Sequence, residues 1–213
     1  MADIFVFGDS IGYGAWDEKG GWADRLKQYF HTQKLKHPEA SGTEVYNLSV
    51  DGDTSSDVAK RMRTDLLARQ RPWSSEADLV IVAIGTNDTY AKNTPDNFRF
   101  SVSDYVQNLE TIYEVVNQAK KKLAFISLDP VDETKTNPTD DGTHFWTNGR
   151  IKEFNEALKS FCDKRAIPFL DIFEAYQALP DFRERFFDGL HPNTSGHEWM
   201  YEKILPFIKE QLK

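Results

Sequence analysis

The sequence predicts a three-layer α/β/α sandwich on a parallel five-stranded sheet, and of the doubly wound orders 2-1-3-4-5 suits five strands although the sequence alone does not fix it. Three observations predict it. Five short apolar runs bounded by turn residues alternate with stretches of helical period. Most of the runs are too continuously apolar for a sheet with one wet face. Strands separated by helical crossovers run parallel, which places helices on both faces. The length of 213 residues suits one such domain spanning 1–213, since a single α/β core fills this size.

The apolar runs are residues 4–7, 45–48, 79–84, 123–128 and 168–172. Between the first two, Trp22, Leu26, Tyr29 and Phe30 fall on one helical stripe; after the second come Val58, Met62 and Leu66. The third gap carries Val102, Val106, Leu109, Ile112 and Val116, and the fourth Ile151, Phe154, Leu158 and Phe161. A last helix is marked by Met200, Ile204, Leu205 and Ile208. Each set repeats at three- and four-residue intervals, the period of a helix face turned to a core. Ligands of doubly wound sheets bind at the carboxyl ends of the strands, so chemistry is expected after Phe7, Leu48, Ile84, Leu128 and Ile172. The stretch 129–148, rich in Asp, Thr, Asn, Pro and Gly, is long for a simple connection. It is expected to form a flap whose Phe145 or Trp146 supplies an apolar pocket wall, the alternative being a solvated surface excursion whose aromatics pack on the next helix.

Charge and composition exclude several classes. Lys and Arg number 26 against 34 Asp and Glu, a net charge of -8, and no basic run exceeds the three lysines at 120–122, so nucleic acid is not an expected partner. The single cysteine, Cys162, cannot make an internal disulfide, and no Cys/His cluster has zinc spacing. Cys162 itself, on a helix stripe, is expected to be buried and inert. Asp51, Asp53 and Asp57 lack the glycine and terminal Glu of a calcium loop and read as helix-capping residues. No metal or other cofactor is expected. The longest apolar run has six residues, far below the roughly 18 that span a bilayer. The start of the chain lacks the marks of a signal peptide, which gives a cytoplasmic expectation.

Four strand edges carry reactive or hydrogen-bonding residues. Ser10 sits in Gly8-Asp9-Ser10-Ile11-Gly12, an accessible glycine-flanked turn, where its alternative role is a cap or turn former. A serine hydroxyl needs a base to become a nucleophile. His191 follows Asp188 by three residues, a spacing that puts both side chains on one side of a turn. Asp188 can then hold one ring nitrogen and leave the other to a serine. His31, His37, His144 and His197 read as structural or solvated. Asn87, after the third run, has an amide that can donate to an oxyanion, and Gly52, after the second, can bring a backbone N–H close to a ligand. Of the tryptophans near Ser10, Trp22 reads as core and Trp16 as lining a pocket.

Taken in order, Gly8-Asp9-Ser10, Gly52, Gly85-Thr86-Asn87-Asp88 and Asp188-Gly189-Leu190-His191-Pro192-Asn193 resemble the four blocks of the GDSL or SGNH hydrolases. The resemblance covers residues 4 to about 208. It implies Ser10 as nucleophile, His191 as base oriented by Asp188, and the Ser10 N–H, Gly52 and Asn87 as oxyanion donors, with a flavodoxin-like fold and no metal. It also implies a small-molecule ester substrate, with acyl thioesters or O-acetylated carbohydrates as alternatives. The acidic residues Asp129, Asp132, Glu133, Asp140 and Asp141 against Lys135 disfavour an anionic leaving group and point to small neutral esters. Two rivals are weaker. The G-x-S-x-G elbow of the larger α/β-hydrolases needs an upstream loop for its oxyanion hole, and only seven residues precede Gly8. A phosphate- or flavin-binding module would use the three glycines at 8–14, yet Asp9 and the lack of Lys or Arg there oppose it.

Overall fold

The computed structural model describes residues 2–71 and 78–213. Its main sheet contains β1 (Ile4–Gly8), β2 (Val45–Asn47), β3 (Leu79–Ala83), β4 (Lys122–Ile126) and β5 (Phe169–Leu170). All pairings are parallel, as the alternation predicts, in the order β2-β1-β3-β4-β5. Ile4 lies between Val45 and Leu79, and Gly8 opposite Ala83. The two central strands are buried on both faces, which is why they carry unbroken apolar sequence.

Period-two alternation divides that sequence between two cores. Phe5, Phe7, Val80, Val82 and Phe125 point to one face; Ile4, Val6, Leu79, Ile81, Ala124 and Ile126 point to the other. Helices α1 (Gly21–Lys36) and α5 (Thr194–Gln211) cover the second face through Trp22, Leu26, Met200, Ile204 and Ile208. The first face takes α2 (Ser55–Ala68), α3 (Val102–Gln118) and α4 (Asn148–Arg165), with the expected stripes buried against it. Fully burying one Leu, Ile or Phe contributes about 1.5–3 kcal/mol. Capping boxes, Thr54 with Asp57 and Ser101 with Asp104, start α2 and α3, each worth about 1 kcal/mol. Asp57 therefore caps, as expected, whereas Asp53 pairs with Arg61 at 2.6 Å.

Two elements differ from the sequence reading. β5 pairs only over Phe169–Leu170, because the chain turns at once into a short helix, Phe173–Gln177, held by Ile172 N–H donating to Ser127 Oγ at 3.0 Å. The stretch 129–148 is also more ordered than a solvated flap. Asp132 caps the helical turn Glu133–Thr136, and His144–Phe145 pairs antiparallel with Ala91–Lys92 in a two-stranded ribbon. The Asn148 amide closes the segment, donating to Val131 O and accepting from Val131 N–H, both at 2.9 Å. Among the described residues no helix is long and apolar enough to cross a membrane.

Candidate active site

β1 ends at Gly8, and the Asp9 side chain accepts from Ile11 N–H at 3.0 Å, capping the one-turn helix Ser10–Tyr13. Ser10 thus lies at a helix start, where backbone N–H groups have no intrahelical acceptor. Close approach explains the glycines. A Cβ on Gly12 would come within 2.5 Å of Ser49 Oγ, and one on Gly8 within 2.9 Å of the Ala83 carbonyl. The Asn47 amide donates to Gly12 O at 3.0 Å, tying the loop after β2 to the Ser10 turn.

Across 181 residues of sequence, His191 Nε2 meets Ser10 Oγ at 2.9 Å. Its Nδ1 meets Asp188 Oδ2 at 2.7 Å, while Asp188 Oδ1 accepts from the N–H groups of Leu190 and His191 at 2.9 and 2.8 Å. One carboxylate oxygen builds the turn and the other orients the ring. Burial pushes the Asp188 carboxyl up, but the His191 and Leu190 hydrogen bonds outweigh it and hold it down to about 2. An ionised Asp188 accepts a hydrogen bond from Nδ1–H, which fixes the proton on Nδ1 and leaves Nε2 as acceptor for the Ser10 hydroxyl.

The expected oxyanion donors are held by neighbouring loops. Asn87, in the turn Thr86–Thr89 after β3, donates one amide hydrogen to Asp53 O at 3.0 Å and keeps the second. Gly52 has φ 78°, and a Cβ there would meet nothing within 4 Å. Left-handed backbone, rather than close approach, is what requires glycine at this position. Among the described residues, the N–H groups of Ser10 and Gly52 have no hydrogen-bond partner. Behind Asn87, the fully buried Asp88 accepts from Ser55 N–H at 2.9 Å and from the Ser55 hydroxyl, so the turn is clamped to the start of α2. Burial still pushes the Asp88 carboxyl up to about 6. The end of β3 is fixed by Tyr105 Oη donating to Ile84 O at 2.9 Å and by Trp146 Nε1 donating to Thr86 O at 3.1 Å.

The structure therefore brings Ser10, His191 and Asp188 together, with Asn87 and Gly52 on the adjoining loops. It corrects the expectation for Trp146, which is 8% exposed within the core and supports the Asn87 turn instead of walling a pocket. Phe145 pairs with Ala91 in the ribbon and is half-buried. Asp129 and Asp132 are buried, so the acidic flank of a flap does not exist in the expected form. Asp132 N–H donates to Gly189 O at 2.8 Å, which joins this segment to the His191 turn. Trp16 lies beside His191, the two rings perpendicular with centroids 6.4 Å apart, and its ring centroid is 5.7 Å from that of Phe187. Sequence reasoning missed Phe187; the pair Phe186-Phe187 beside the Asp188 turn, one ring for each side of an extended segment, was the available signal.

Beneath the Ser10 turn lies a small cavity of about 10 Å³ lined by Asp9, Asp129, Trp22 and Thr86, among others. Among the described residues, Asp9 Oδ2, Asp129 Oδ1 and Trp22 Nε1 have no hydrogen-bond partner. Burial pushes Asp9 up to about 7 and Asp129 well above the ordinary carboxyl range, each carboxyl in the field of other acids. His197 is structural and fully buried, and burial pulls it down to about 4. Burial pushes the Cys162 thiol up to about 12, as suits an inert position. No group of three His, Cys, Asp or Glu among the described residues is arranged to hold a metal.

A parallel sheet with a Ser-His-Asp relay at its carboxyl edge defines the hydrolase class to which comparison with known proteins also leads. The GDSL-like lipase/acylhydrolase family model matches residues 6–199, and the chain belongs to that family. A multidomain esterase of Ruminococcus flavefaciens is 25% identical over 229 residues, covering 99% of this chain and 29% of its own length. The chain thus spans less than a third of that curated relative. A lipase/acylhydrolase from Enterococcus faecalis superposes with TM-score 0.77 at 25% identity, over 100% of this chain and 98% of its own. The psychrotrophic esterase EstA from Pseudoalteromonas, at 16% identity, has TM-score 0.70 over 100% and 99%. An acetyl xylan esterase, also at 16% identity, has TM-score 0.70 over 96% and 98%.

Proposed function

We propose that this chain is a serine ester hydrolase that works through an acyl-enzyme on Ser10, with small, short-acyl esters as substrates. The observation that carries the reading is the continuous relay from Asp188 through His191 to the Ser10 hydroxyl. In the first step Ser10 Oγ bonds to the ester carbonyl carbon while its proton passes to His191 Nε2. The carbonyl oxygen becomes an oxyanion, received by the Ser10 and Gly52 N–H groups and the free Asn87 amide hydrogen. Collapse breaks the bond to the alcohol oxygen, which takes the proton from His191. Water then repeats the sequence on the acyl-enzyme, releasing acid and restoring Ser10.

Asp188 stays charged throughout and stabilises the imidazolium between the two transfers. The net charge of -8 gives an unfavourable field for a polyanionic leaving group such as coenzyme A, so oxygen esters with neutral alcohols fit better than acyl-CoA. The relatives that are an esterase and an acetyl xylan esterase support the same choice. A fluorophosphonate should label one peptide, the one containing Ser10, with loss of activity on nitrophenyl acetate. Labelling that persists in Ser10→Ala would place the nucleophile elsewhere.

A further inference from the structure

Two large aromatic side chains are left exposed beside the relay, Trp16 at 63% and Phe187 at 61%. Both are displayed by specific backbone features. Trp16 has φ 63°, a left-handed conformation that costs energy for any residue with a Cβ and is a marked outlier for a bulky one. The neighbouring Asp17 holds it there. Asp17 accepts from Gly21 N–H at 2.9 Å, from Thr194 Oγ1 at 2.8 Å and from the buried Arg25 guanidinium. Arg25 also donates to Gly21 O at 2.9 Å and Thr194 O at 3.3 Å. This network pins the backbone immediately after Trp16 to the start of α5, so the indole cannot swing inward to bury itself.

Phe187 is presented from the other side. Phe186 pairs with Pro192 in an isolated bridge and is buried, and Phe187 N–H donates to His191 O at 2.8 Å. Extended backbone alternates its side chains, so burying Phe186 turns Phe187 outward. The Trp16 and Phe187 ring centroids are 5.7 Å apart at 31°, and the indole stands perpendicular to the His191 ring with centroids 6.4 Å apart. No Lys or Arg stacks on either ring among the described residues.

The shelf adjoins His191, whereas the oxyanion donors Gly52 and Asn87 come from the loops after β2 and β3. Resting on the hydrolase reading, in which His191 protonates the departing alcohol, the geometry points to Trp16 and Phe187 as the leaving-group subsite. It takes the apolar face of a neutral ring-bearing alcohol. Exposed flat aromatic faces without a basic partner suit a ring that stacks and carries no charge. An arene and a pyranose present that same face, so the assay separates them.

The assay compares kcat/KM on three acetate esters that share one acyl group: phenyl acetate, an acetylated methyl glucopyranoside and ethyl acetate. Trp16→Gly suits the left-handed backbone and removes only the indole, which separates loss of the ring from misfolding. Stacking of one ring is worth roughly a 3- to 10-fold change, so in Trp16→Gly and in Phe187→Ala the ratio of a ring ester to ethyl acetate should fall by that factor, mainly through KM. Trp16→Phe should restore most of it, and Leu35→Ala, at an exposed residue of α1, should leave the ratio as in the wild type. A fall with phenyl acetate alone identifies an arene, one with the glucoside alone a sugar ring, and either supports the shelf. Ratios that stay constant for both ring esters in both variants overturn it. Binding of phenol and methyl glucopyranoside, followed by quenching of tryptophan fluorescence, tests the shelf without turnover. Saturable quenching lost in Trp16→Gly supports it even if the wild type hydrolyses no ester and Ser10 takes no label, which would be the failure of the hydrolase reading. No saturable response to either alcohol overturns the shelf.

Discussion

Replacing Asp9 by Asn should make the protein more stable in neutral and alkaline solution, with a gain that depends on pH. Asp9 is buried at 2% exposure, and its carboxyl stands at about 7 in the fold against 3.8 for an ordinary aspartate. For an acid raised on folding, the native state holds its proton more tightly than the unfolded chain. The stability is therefore whole below the unfolded value and is progressively lost as pH climbs towards about 7, beyond which the loss is constant. At 1.36 kcal/mol per pH unit the full loss is about 4 kcal/mol. Asn keeps an oxygen to accept from Ile11 N–H and has no proton to lose. The difference in unfolding free energy between Asp9→Asn and wild type should thus rise between about pH 4 and pH 7 and then level off. Urea titrations at a series of pH values, read at unchanged m, measure it. A difference that is flat across this range would show that Asp9 ionises like an exposed carboxylate, and the account of the carboxyl pair beneath Ser10 would fail.

Two further outcomes follow from the site. Asn87→Ala should lower kcat by on the order of 10² to 10³ with little change in KM, about 3 kcal/mol of oxyanion stabilisation; steady-state kinetics showing only a higher KM would make Asn87 a ground-state binding residue. Asp188→Asn should lower kcat with little change in KM, because the imidazolium formed between the two proton transfers loses the charge that stabilises it. An unchanged kcat would mean that another group orients His191.

Much of this arrangement was readable because it is local. Ser10 announces itself by flanking glycines at the end of an apolar run, and Asp188 with His191 by three-residue spacing. The helix stripes are likewise short-range patterns, and they place the layers correctly. Residues that work over long separations were not readable. Asn47 reaches Gly12 across 35 residues and Trp146 reaches Thr86 across 60, and a hydrogen bond from a side chain to a distant carbonyl leaves no periodic trace. Trp146 looked like a pocket wall because an aromatic in a polar segment suggests exposure. It is buried because its indole N–H has a carbonyl to satisfy. Tyr105 is not among the residues that mark the α3 stripe, although its ring is core and its hydroxyl donates to Ile84 O.

The hydrogen bonds that run from Asn47 to Gly12, from Asn87 to Asp53, from Trp146 to Thr86 and from Asp132 to Gly189 lace successive loops of the sheet edge into one belt. This dictates where new sequence can be accepted. Residues 93–99 and 140–142, largely exposed and outside the belt, are tips where an inserted segment leaves the relay in register, and each doubling of loop length costs only about 0.6 kcal/mol. An insertion at 50–53 or 86–89 would sever a link and displace Gly52 or Asn87. Sequence variation is therefore free to accumulate at the tips, while the relay below them is held in place.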